Sequence, residues 1–152
     1  MDQIDKRILH ILQADAKMTT KEVATQLNLT TTPVYERIKR LEREGFINGY
    51  KAVLDRKKLD LGLMVFCNVS LEAHSVDLIQ KFEDEVQQLD EVVACYHIAG
   101  LFDYLLQVLI KDMDLYQEFV TQKLAGLSNI RKVQSFFVMT EVKKDGEIPI
   151  IF

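Results

Sequence analysis

The sequence predicts an α+β protein of two modules: a helix-turn-helix in residues 1–54 and a ferredoxin-like βαββαβ domain in residues 62–152, with a linker at 55–61. The chain of 152 residues is 48% hydrophobic, which suits one domain or two small ones. Its net charge of −4 conceals a split, because residues 1–60 hold 12 basic and 9 acidic side chains whereas the remainder hold 7 and 14. The apolar spacing also changes, from helical periods in the first part to strands and helices in the second.

The first two helices are predicted from their caps and their apolar spacing. Asp2 is a candidate N-cap for a helix that ends near residue 15. The apolar stripe of this helix is Ile4, Ile8, Ile11 and Leu12. A second, shorter helix begins at the capping-box pair Thr19 and Glu22 and ends at Asn28, a residue type that tolerates a left-handed backbone.

The third helix is predicted to begin after Thr32 as the N-cap, with Pro33 in its first turn, and to end at Gly45 in a Schellman motif. Its inward positions are Val34, Ile38 and Leu41. A short helix with the small Ala24 at its centre, a tight turn and a longer helix together match the helix-turn-helix unit that inserts its second helix into DNA.

The outward side chains of the third helix are candidates for contact with DNA. Hydroxyl and aromatic groups at its N-terminal end could reach base edges, and cations along its flank could neutralise phosphates. The candidates are Thr31, Thr32, Tyr35, Glu36, Lys39, Arg40 and Arg43. The alternative is a solvated helix whose charges pair with one another, but the capping, turn and core spacing together favour DNA binding.

After the third helix, the sequence predicts one short strand, Tyr50 to Leu54. The preceding Asn48-Gly49 is a hairpin signal only where strands flank both of its sides, and just two apolar residues come before it. The charged linker that follows could touch phosphate, although a solvated connection is the simpler interpretation.

The second module shows the βαββαβ order. The predicted elements are a strand at Leu61–Leu71, a helix capped by Ser75, strands at Val92–Ala99 and Tyr104–Ile110, a helix capped by Asp112, and a last strand at Ile130–Val142. In this plan two helices cover one face of the sheet and leave the other open. Because several strands are apolar on both faces, we expect the open face to be covered by a second copy of the chain.

Several classes of function are disfavoured by the sequence. The three histidines have no metal-ligand spacing, and no glycine-rich phosphate loop or nucleophile elbow is present, so we expect neither an enzyme nor a metal or cofactor. Cys95 and His97 could suggest a reactive thiol, but a packed strand is the favoured interpretation. The acidic N-terminus lacks a signal-peptide pattern, and no apolar run approaches a membrane span. The sequence therefore predicts a cytoplasmic protein.

The whole chain resembles the Lrp/AsnC (feast/famine) family of transcription regulators. The residues that carry this resemblance include Leu29-Thr30-x-Thr32-Pro33-Val34-x-x-Arg37-Ile38-Lys39-Arg40-Leu41-Glu42, then Gly49-Tyr50-x-Ala52-Val53-Leu54-Asp55, Gly100-x-x-Asp103-Tyr104-Leu105-Leu106 and Val138-Met139-x-Glu141-Val142-Lys143. The resemblance implies a winged helix-turn-helix, a RAM-type sensing domain, double-stranded DNA as a partner, and dimers that assemble further into octamers. An alternative within the same fold is a DNA-organising protein that needs no effector.

The resemblance also implies an amino acid or related metabolite as effector, bound at the turn between the two middle strands. The implied site residues are Ala99, Gly100, Leu101 and Asp103, together with Thr140 from a neighbouring dimer. The amide of Gly100 can approach a ligand carboxylate closely, and Asp103 can accept from an α-ammonium. Many members have Thr or Ser in place of Ala99 and a polar residue in place of Leu101. Because Leu101 and Phe102 make the edge of this cleft apolar, we expect an apolar effector. The alternative for this turn is a tight strand connection, with Asp103 bonding its own neighbours.

Overall fold

The computed structural model describes residues 1–144 and 146–151 and divides the chain into two compact units. Unit 1 holds Met1–Val53 together with the C-terminal segment from Lys143 onward, and unit 2 holds Leu54–Val142. The sequence analysis grouped that C-terminal segment with the second module, whereas its contacts in the structure are with unit 1. No helix among the described residues is both long enough and apolar enough to cross a membrane.

Unit 1 contains three helices: α1 at Gln3–Ala14, α2 at Thr20–Leu27 and α3 at Thr31–Arg43. The capping boxes at Asp2 and Thr19 are both present, and Asn28 has the predicted left-handed backbone, with φ 55°. These predictions are confirmed because each depends on bonds between residues close in the chain. The buried apolar residues of this unit are Ile8, Leu12, Val23, Ala24, Leu27, Val34, Ile38 and Leu41.

The start of α3 differs from the prediction, whereas its end agrees. The N-cap position is held by Thr30 rather than Thr32, so Pro33 is the third helical residue. Proline is tolerated there because the first amides of a helix have no intrahelical acceptor to lose. At the other end, Gly45 adopts φ 76°, and the amide of Phe46 donates to the carbonyl of Leu41 at 2.9 Å, as the Schellman motif requires.

A buried carboxylate joins α1 to α3. Asp5 is only 1% exposed and accepts from Nη1 of Arg37 at 2.7 Å and from Nη2 of Arg40 at 2.6 Å. Arg37 also donates to Asp2 at 2.6 Å. The sequence predicted Arg40 to be one of the outward side chains of α3, but the structure ties the guanidinium groups of both Arg37 and Arg40 to α1. Spacing along α3 could not reveal this, because the partner carboxylates lie more than thirty residues away.

The C-terminal segment lies along α1. The side-chain amide of Gln13 pairs with the backbone of Ile148 in both directions, donating to its carbonyl at 3.1 Å and accepting from its amide at 2.8 Å. Nζ of Lys6 donates to the carbonyl of Ile151 at 2.6 Å. The predicted strand from Tyr50 to Leu54 does not form, since no described segment pairs with it and a lone strand has no partner for its backbone groups.

Unit 2 has the predicted order of elements. They are β1 at Leu63–Leu71, α4 at Val76–Val86, β2 at Val92–His97, β3 at Tyr104–Ile110, α5 at Met113–Glu118 and β4 at Ile130–Phe137. The strands form one antiparallel sheet in the order β2-β3-β1-β4, which is the ferredoxin-like arrangement. Beyond α5 the backbone widens into a π-helix at Phe119–Lys123 and then tightens into a short 3₁₀ turn.

Three strands are shorter than predicted, and the first of them, β1, begins at Leu63 instead of Leu61. β2 ends at His97 instead of Ala99, and β4 ends at Phe137 instead of Val142. β4 ends where its antiparallel partner β1 begins. Phe137 pairs with Val65, and the amide of Val138 donates the last hydrogen bond between the strands, to the carbonyl of Met64. The described residues beyond this point pair with no other strand, and Glu141 instead forms an ion pair with Arg56 at 2.7 Å.

The two faces of the sheet have different surroundings. One face carries the buried side chains of β1 and β3, which join those of α4 and of the helix beginning at α5 in a single core. The other face is also apolar: Met64 is buried, Phe66 and Leu105 are partly buried, and Tyr96 and Phe136 are each about half exposed. The prediction that the strands are apolar on both faces is therefore confirmed.

We expect Asp5→Asn to lower the free energy of unfolding of unit 1 by about 2–4 kcal/mol, because it leaves two guanidinium groups without their shared carboxylate. The cost should lie below that of a fully buried pair, since the side chains of Arg37 and Arg40 are 26% and 38% exposed. Urea unfolding of the full chain, followed by amide exchange in α1, measures the change. Glu36→Gln, which neutralises an exposed carboxylate on α3, is the matched control. Equal stability of the two variants would contradict a stabilising role for the ion pairs that Asp5 makes with Arg37 and Arg40.

Candidate functional site

The N-terminal end of α3 presents polar and aromatic groups to solvent. Thr31, Thr32, Tyr35 and Glu36 are all exposed, and the Tyr35 side chain is 47% exposed. Inward residues of the same helix fill the core of unit 1, so the opposite side of α3 is left free for a partner. The arrangement suits insertion into a major groove, where hydroxyl and amide groups read base edges.

Lys39 is held in place by its neighbours on and after α3. Its Nζ lies 2.8 Å from Oε2 of Glu42 and 5.8 Å from the centroid of the Tyr35 ring. Glu42 also accepts from the hydroxyl of Tyr50 at 3.0 Å. The hydrogen bond from Lys39 lowers the pKa of Glu42 and raises that of Lys39, so the ammonium stays charged. This network links the helix to the segment that follows it.

The cations of α3 fall into two groups. Arg37 and Arg40 bind the buried Asp5 and serve the packing of unit 1. Lys39 and Arg43 are exposed, and Arg43 makes no side-chain hydrogen bond or ion pair within residues 1–144 and 146–151. Among the predicted phosphate contacts, Lys39 and Arg43 are therefore the cations that do not bind the buried Asp5.

The turn between β2 and β3 is open to solvent at its tip. Ala99 and Gly100 are exposed, Leu101 is 93% exposed, and no atom within 4 Å would meet a side chain added at Gly100. Gly100 has φ 151°, a conformation that L-residues rarely adopt. Its backbone can therefore be approached closely by a ligand. Thr140 is exposed beyond the end of β4 and makes no hydrogen bond with this turn in the part of the chain that is described.

Asp103 anchors the turn to the end of β1. Its Oδ2 accepts from the amide of Leu71 at 2.7 Å, and its own amide donates to the carbonyl of Val69 at 2.9 Å. Its Oδ1 lies 2.9 Å from Nε2 of His74, in the loop between β1 and α4. The Leu71 amide, followed by His74, lowers the pKa of Asp103 below its usual value. The bonds reach across the sheet to β1, and so differ from the local Asx turn of the alternative interpretation.

His74 is a candidate residue that the sequence analysis did not identify. It lies 29 positions from Asp103, and neither its spacing nor its neighbours signal a site. Only the antiparallel pairing of β1 with β3 brings the end of one strand beside the start of the other.

A cleft of about 390 Å³ lies between α4 and the edge strand β2. Within it, the Tyr104 hydroxyl donates to Oε1 of Glu83 at 2.7 Å, and the His97 ring stacks on Tyr104 with centroids 4.7 Å apart. Burial, followed by the charge of Glu83, raises the pKa of Cys95 to about 11. His97 thus packs on an aromatic ring, and the Cys95 thiol is held in its protonated form, which agrees with the strand interpretation of this pair.

Comparisons with known proteins agree along the whole chain. A family model described as the Lrp/AsnC ligand binding domain matches residues 64–148, and one described as winged helix-turn-helix DNA-binding matches residues 1–48. The leucine-responsive regulatory protein of Escherichia coli K12 is 37% identical over 150 residues, covering 99% of this chain and 92% of that protein.

Solved structures of regulators have the same fold. A transcriptional regulator of Neisseria meningitidis, solved as an L-Met complex, superposes with a TM-score of 0.94 at 32% identity and covers 98% of this chain and 96% of its own. An AsnC family transcriptional regulator from Agrobacterium tumefaciens gives a TM-score of 0.93 at 35% identity, with 98% and 97% of the two chains covered.

We expect Asp103→Ala to lower the free energy of unfolding of unit 2 by about 1–3 kcal/mol, because the buried Leu71 amide loses its acceptor. Asp103→Asn keeps an acceptor oxygen and should cost less. The folded-state pKa of Asp103 is depressed, so the stabilisation from its carboxylate is present above the ordinary value of 3.8 and is lost as pH falls below it. Urea unfolding at pH 7 and pH 3 measures both effects. Equal losses for the two variants at pH 7 would contradict the anchoring role.

Proposed function

The chain belongs to the Lrp/AsnC family, and on that premise we propose that it is a transcription regulator that binds double-stranded DNA through α3 and responds to an amino acid through unit 2. The observation that carries the proposal is the presence, in one chain, of a helix-turn-helix with an exposed α3 and a sheet whose middle turn is open for a ligand. Its relatives are regulators rather than enzymes. A regulator of this kind acts in the cytoplasm with the DNA.

We assign two roles to the exposed residues of α3. Thr31, Thr32, Tyr35 and Glu36 stand at the end that would enter the major groove, and they determine sequence preference. Lys39 and Arg43 neutralise phosphates and position the helix. Arg40 contributes to the same flank, but its guanidinium is shared with Asp5. Residues 1–54 then form the DNA-binding domain, 55–61 the linker and 62–142 the sensing and oligomerisation domain, while the segment from Lys143 onward belongs with unit 1.

We assign the effector to the turn between β2 and β3. Ala99, Gly100, Leu101 and Asp103 supply a backbone amide, an apolar side chain and a carboxylate, and Thr140 of a neighbouring dimer completes the site. The exposed Leu101 favours an apolar amino acid. L-methionine and L-leucine are the first candidates, because one neighbour was solved as an L-Met complex and the curated relatives are leucine-responsive.

We propose that the open face of the sheet forms a dimer, and that dimers assemble further into an octamer. Tyr96 and Phe136 are large apolar side chains about half exposed on a face that already buries Met64. Covering this face removes apolar surface from water, which is the dominant favourable contribution to association. A two-fold dimer also suits a pseudo-palindromic DNA site with half-sites about one helical turn, or a multiple of it, apart.

Fluorescence anisotropy with the DNA upstream of the chain's own coding region tests the function. We expect salt-dependent binding that L-methionine or L-leucine changes. Binding that none of the twenty standard amino acids changes would favour the DNA-organising alternative. Absence of any preference for this DNA over an unrelated duplex would contradict a sequence-specific regulator.

Alanine variants test the roles assigned on α3. Lys39→Ala and Arg43→Ala should weaken binding to all duplexes, and each should lower the slope of log K against log[salt] by about 0.9. Thr32→Ala should change the preference among duplexes instead. Lys81→Ala, on α4, is the control for loss of a surface cation. Unchanged slopes in both α3 variants would show that this helix does not lie on the phosphates. Arg40→Ala is unsuitable here, because it also removes a partner of Asp5.

Phe136→Glu tests the dimer. It places a charge opposite Phe66 on the open face and should convert the dimer into a monomer at micromolar concentration, measured by sedimentation equilibrium. Lys81→Glu, which changes charge on α4, should remain dimeric. A wild-type protein that sediments as a monomer would contradict the proposed assembly, and a dimeric Phe136→Glu variant would contradict the proposed face.

A further inference from the structure

We propose that His74 is an effector-binding residue: its imidazolium receives the α-carboxylate of an amino acid whose α-ammonium lies on Asp103. The ligand class is thereby narrowed to zwitterionic α-amino acids with a free carboxylate. This inference rests on the proposed effector response. It adds to that response a residue on a different loop from the turn between β2 and β3.

The loop that carries His74 is held in a defined position. The side-chain amide of Asn129 pairs with Ala73 in both directions, accepting from its amide at 2.9 Å and donating to its carbonyl at 2.8 Å. The amide of Glu72 donates to the Asn129 carbonyl at 2.8 Å. These three bonds fix the backbone next to His74, while the His74 side chain itself is 59% exposed. The imidazole therefore has a defined position and is accessible to a ligand.

Asp103 keeps room for a ligand although it already has partners. Its Oδ2 accepts from the amide of Leu71 and its Oδ1 contacts His74. An ionised carboxylate offers about four lone-pair sites, so about two remain for an ammonium group. The Leu71 amide, followed by His74, lowers the pKa of Asp103, and the group therefore stays ionised at neutral pH.

The pair formed by His74 and Asp103 is complementary to the head of an α-amino acid. Nε2 of His74 and Oδ1 of Asp103 are 2.9 Å apart, so an imidazole that is positive when protonated lies beside a carboxylate. In an α-amino acid, the ammonium and carboxylate groups are likewise adjacent, joined through one carbon. When the ammonium of such a ligand lies on Asp103 and its carboxylate on protonated His74, each charged group of the ligand contacts a group of opposite charge. A ligand with only an ammonium group or only a carboxylate would contact only one of the two residues.

The surroundings of His74 add positive potential for a carboxylate. The N-cap of α4, Ser75, makes no side-chain capping bond, so the first amides of this helix stay free beside His74. In the turn between β2 and β3, the backbone of Gly100 is open to solvent. Lys132 on β4 lies over the Phe102 ring at 5.9 Å from its centroid.

Acidic groups and a second histidine also lie near the pair. Glu72 belongs to the same loop as His74, and Asp77 to the first turn of α4. The charge of His97, on β2, acts on Asp103 in the same sense as that of His74. Both histidines therefore contribute positive charge to this corner of unit 2 when they are protonated.

Isothermal titration calorimetry with the full-length protein tests the assignment. Each of the twenty standard amino acids is titrated first, and the tightest binder is carried forward together with its carboxamide, which keeps the ammonium and lacks the carboxylate. His74→Gln retains a hydrogen-bond donor for Asp103 but removes the charge. We expect this substitution to weaken binding of the amino acid by about ten- to one-hundredfold, the range for one charge-assisted hydrogen bond, and to leave binding of the carboxamide unchanged. His10→Gln, in unit 1, should change neither ligand.

The pH dependence supplies a second readout. Because the proposed carboxylate contact favours the protonated form of His74, ligand binding takes up a proton, so wild-type affinity should fall as pH rises and this fall should be absent in His74→Gln. Thermal unfolding and sedimentation confirm that the variants remain folded and assembled.

Two results would overturn the role of His74 alone: equal weakening of the amino acid and its carboxamide, or wild-type affinity that rises with pH. The second would mean that His74 competes with the ammonium for Asp103. Failure of every amino acid to bind the wild type, with DNA binding intact, would overturn the proposed effector class and with it this assignment.

Discussion

One carboxylate, that of Asp5, holds α3 in place. It is buried and binds two arginines of α3, while Asp2 binds one of them again from the start of α1. The capping bond from the Asp5 amide, followed by Arg37, lowers the pKa of Asp2 to about 2, so the Asp2 carboxylate stays charged near neutral pH. A buried charge is tolerated only when it is paired and hydrogen-bonded, and α3 is therefore constrained to one rotation about its axis. That rotation turns Tyr35 and Lys39 outward. The exposed surface of α3 is thus a consequence of its buried pairing.

Unit 2 uses the same principle at the turn between β2 and β3. Asp103 is tied to the amide of Leu71 on one side and to His74 on the other, and the tip beyond it, at Gly100 and Leu101, is left open. In both units an aspartate bonded across two elements positions a neighbouring exposed surface. Each of these aspartates lies close to the side chains that would contact a partner. We therefore expect a substitution at either aspartate to change folding as well as binding.

Features determined by near neighbours in the chain could be predicted from the sequence. The caps at Asp2 and Thr19, the left-handed Asn28 and the Schellman ending at Gly45 each depend on bonds within a few residues. The order of strands and helices followed from apolar periodicity.

Features determined by distant partners could not be predicted in this way. The end of β4 depends on where β1 begins, Arg40 binds a carboxylate 35 positions away, and His74 meets Asp103 only through strand pairing.

The pKa of the Cys95 thiol is also determined by its surroundings in the fold. With a pKa of about 11, roughly one thiol in ten thousand is ionised at pH 7, and the thiolate is the form that oxidants and alkylating agents attack. Cys67 is fully buried against Tyr116. Because the thiolate of Cys95 is disfavoured, we expect this thiol to react more slowly with oxidants than a thiol of ordinary pKa, although its side chain reaches solvent.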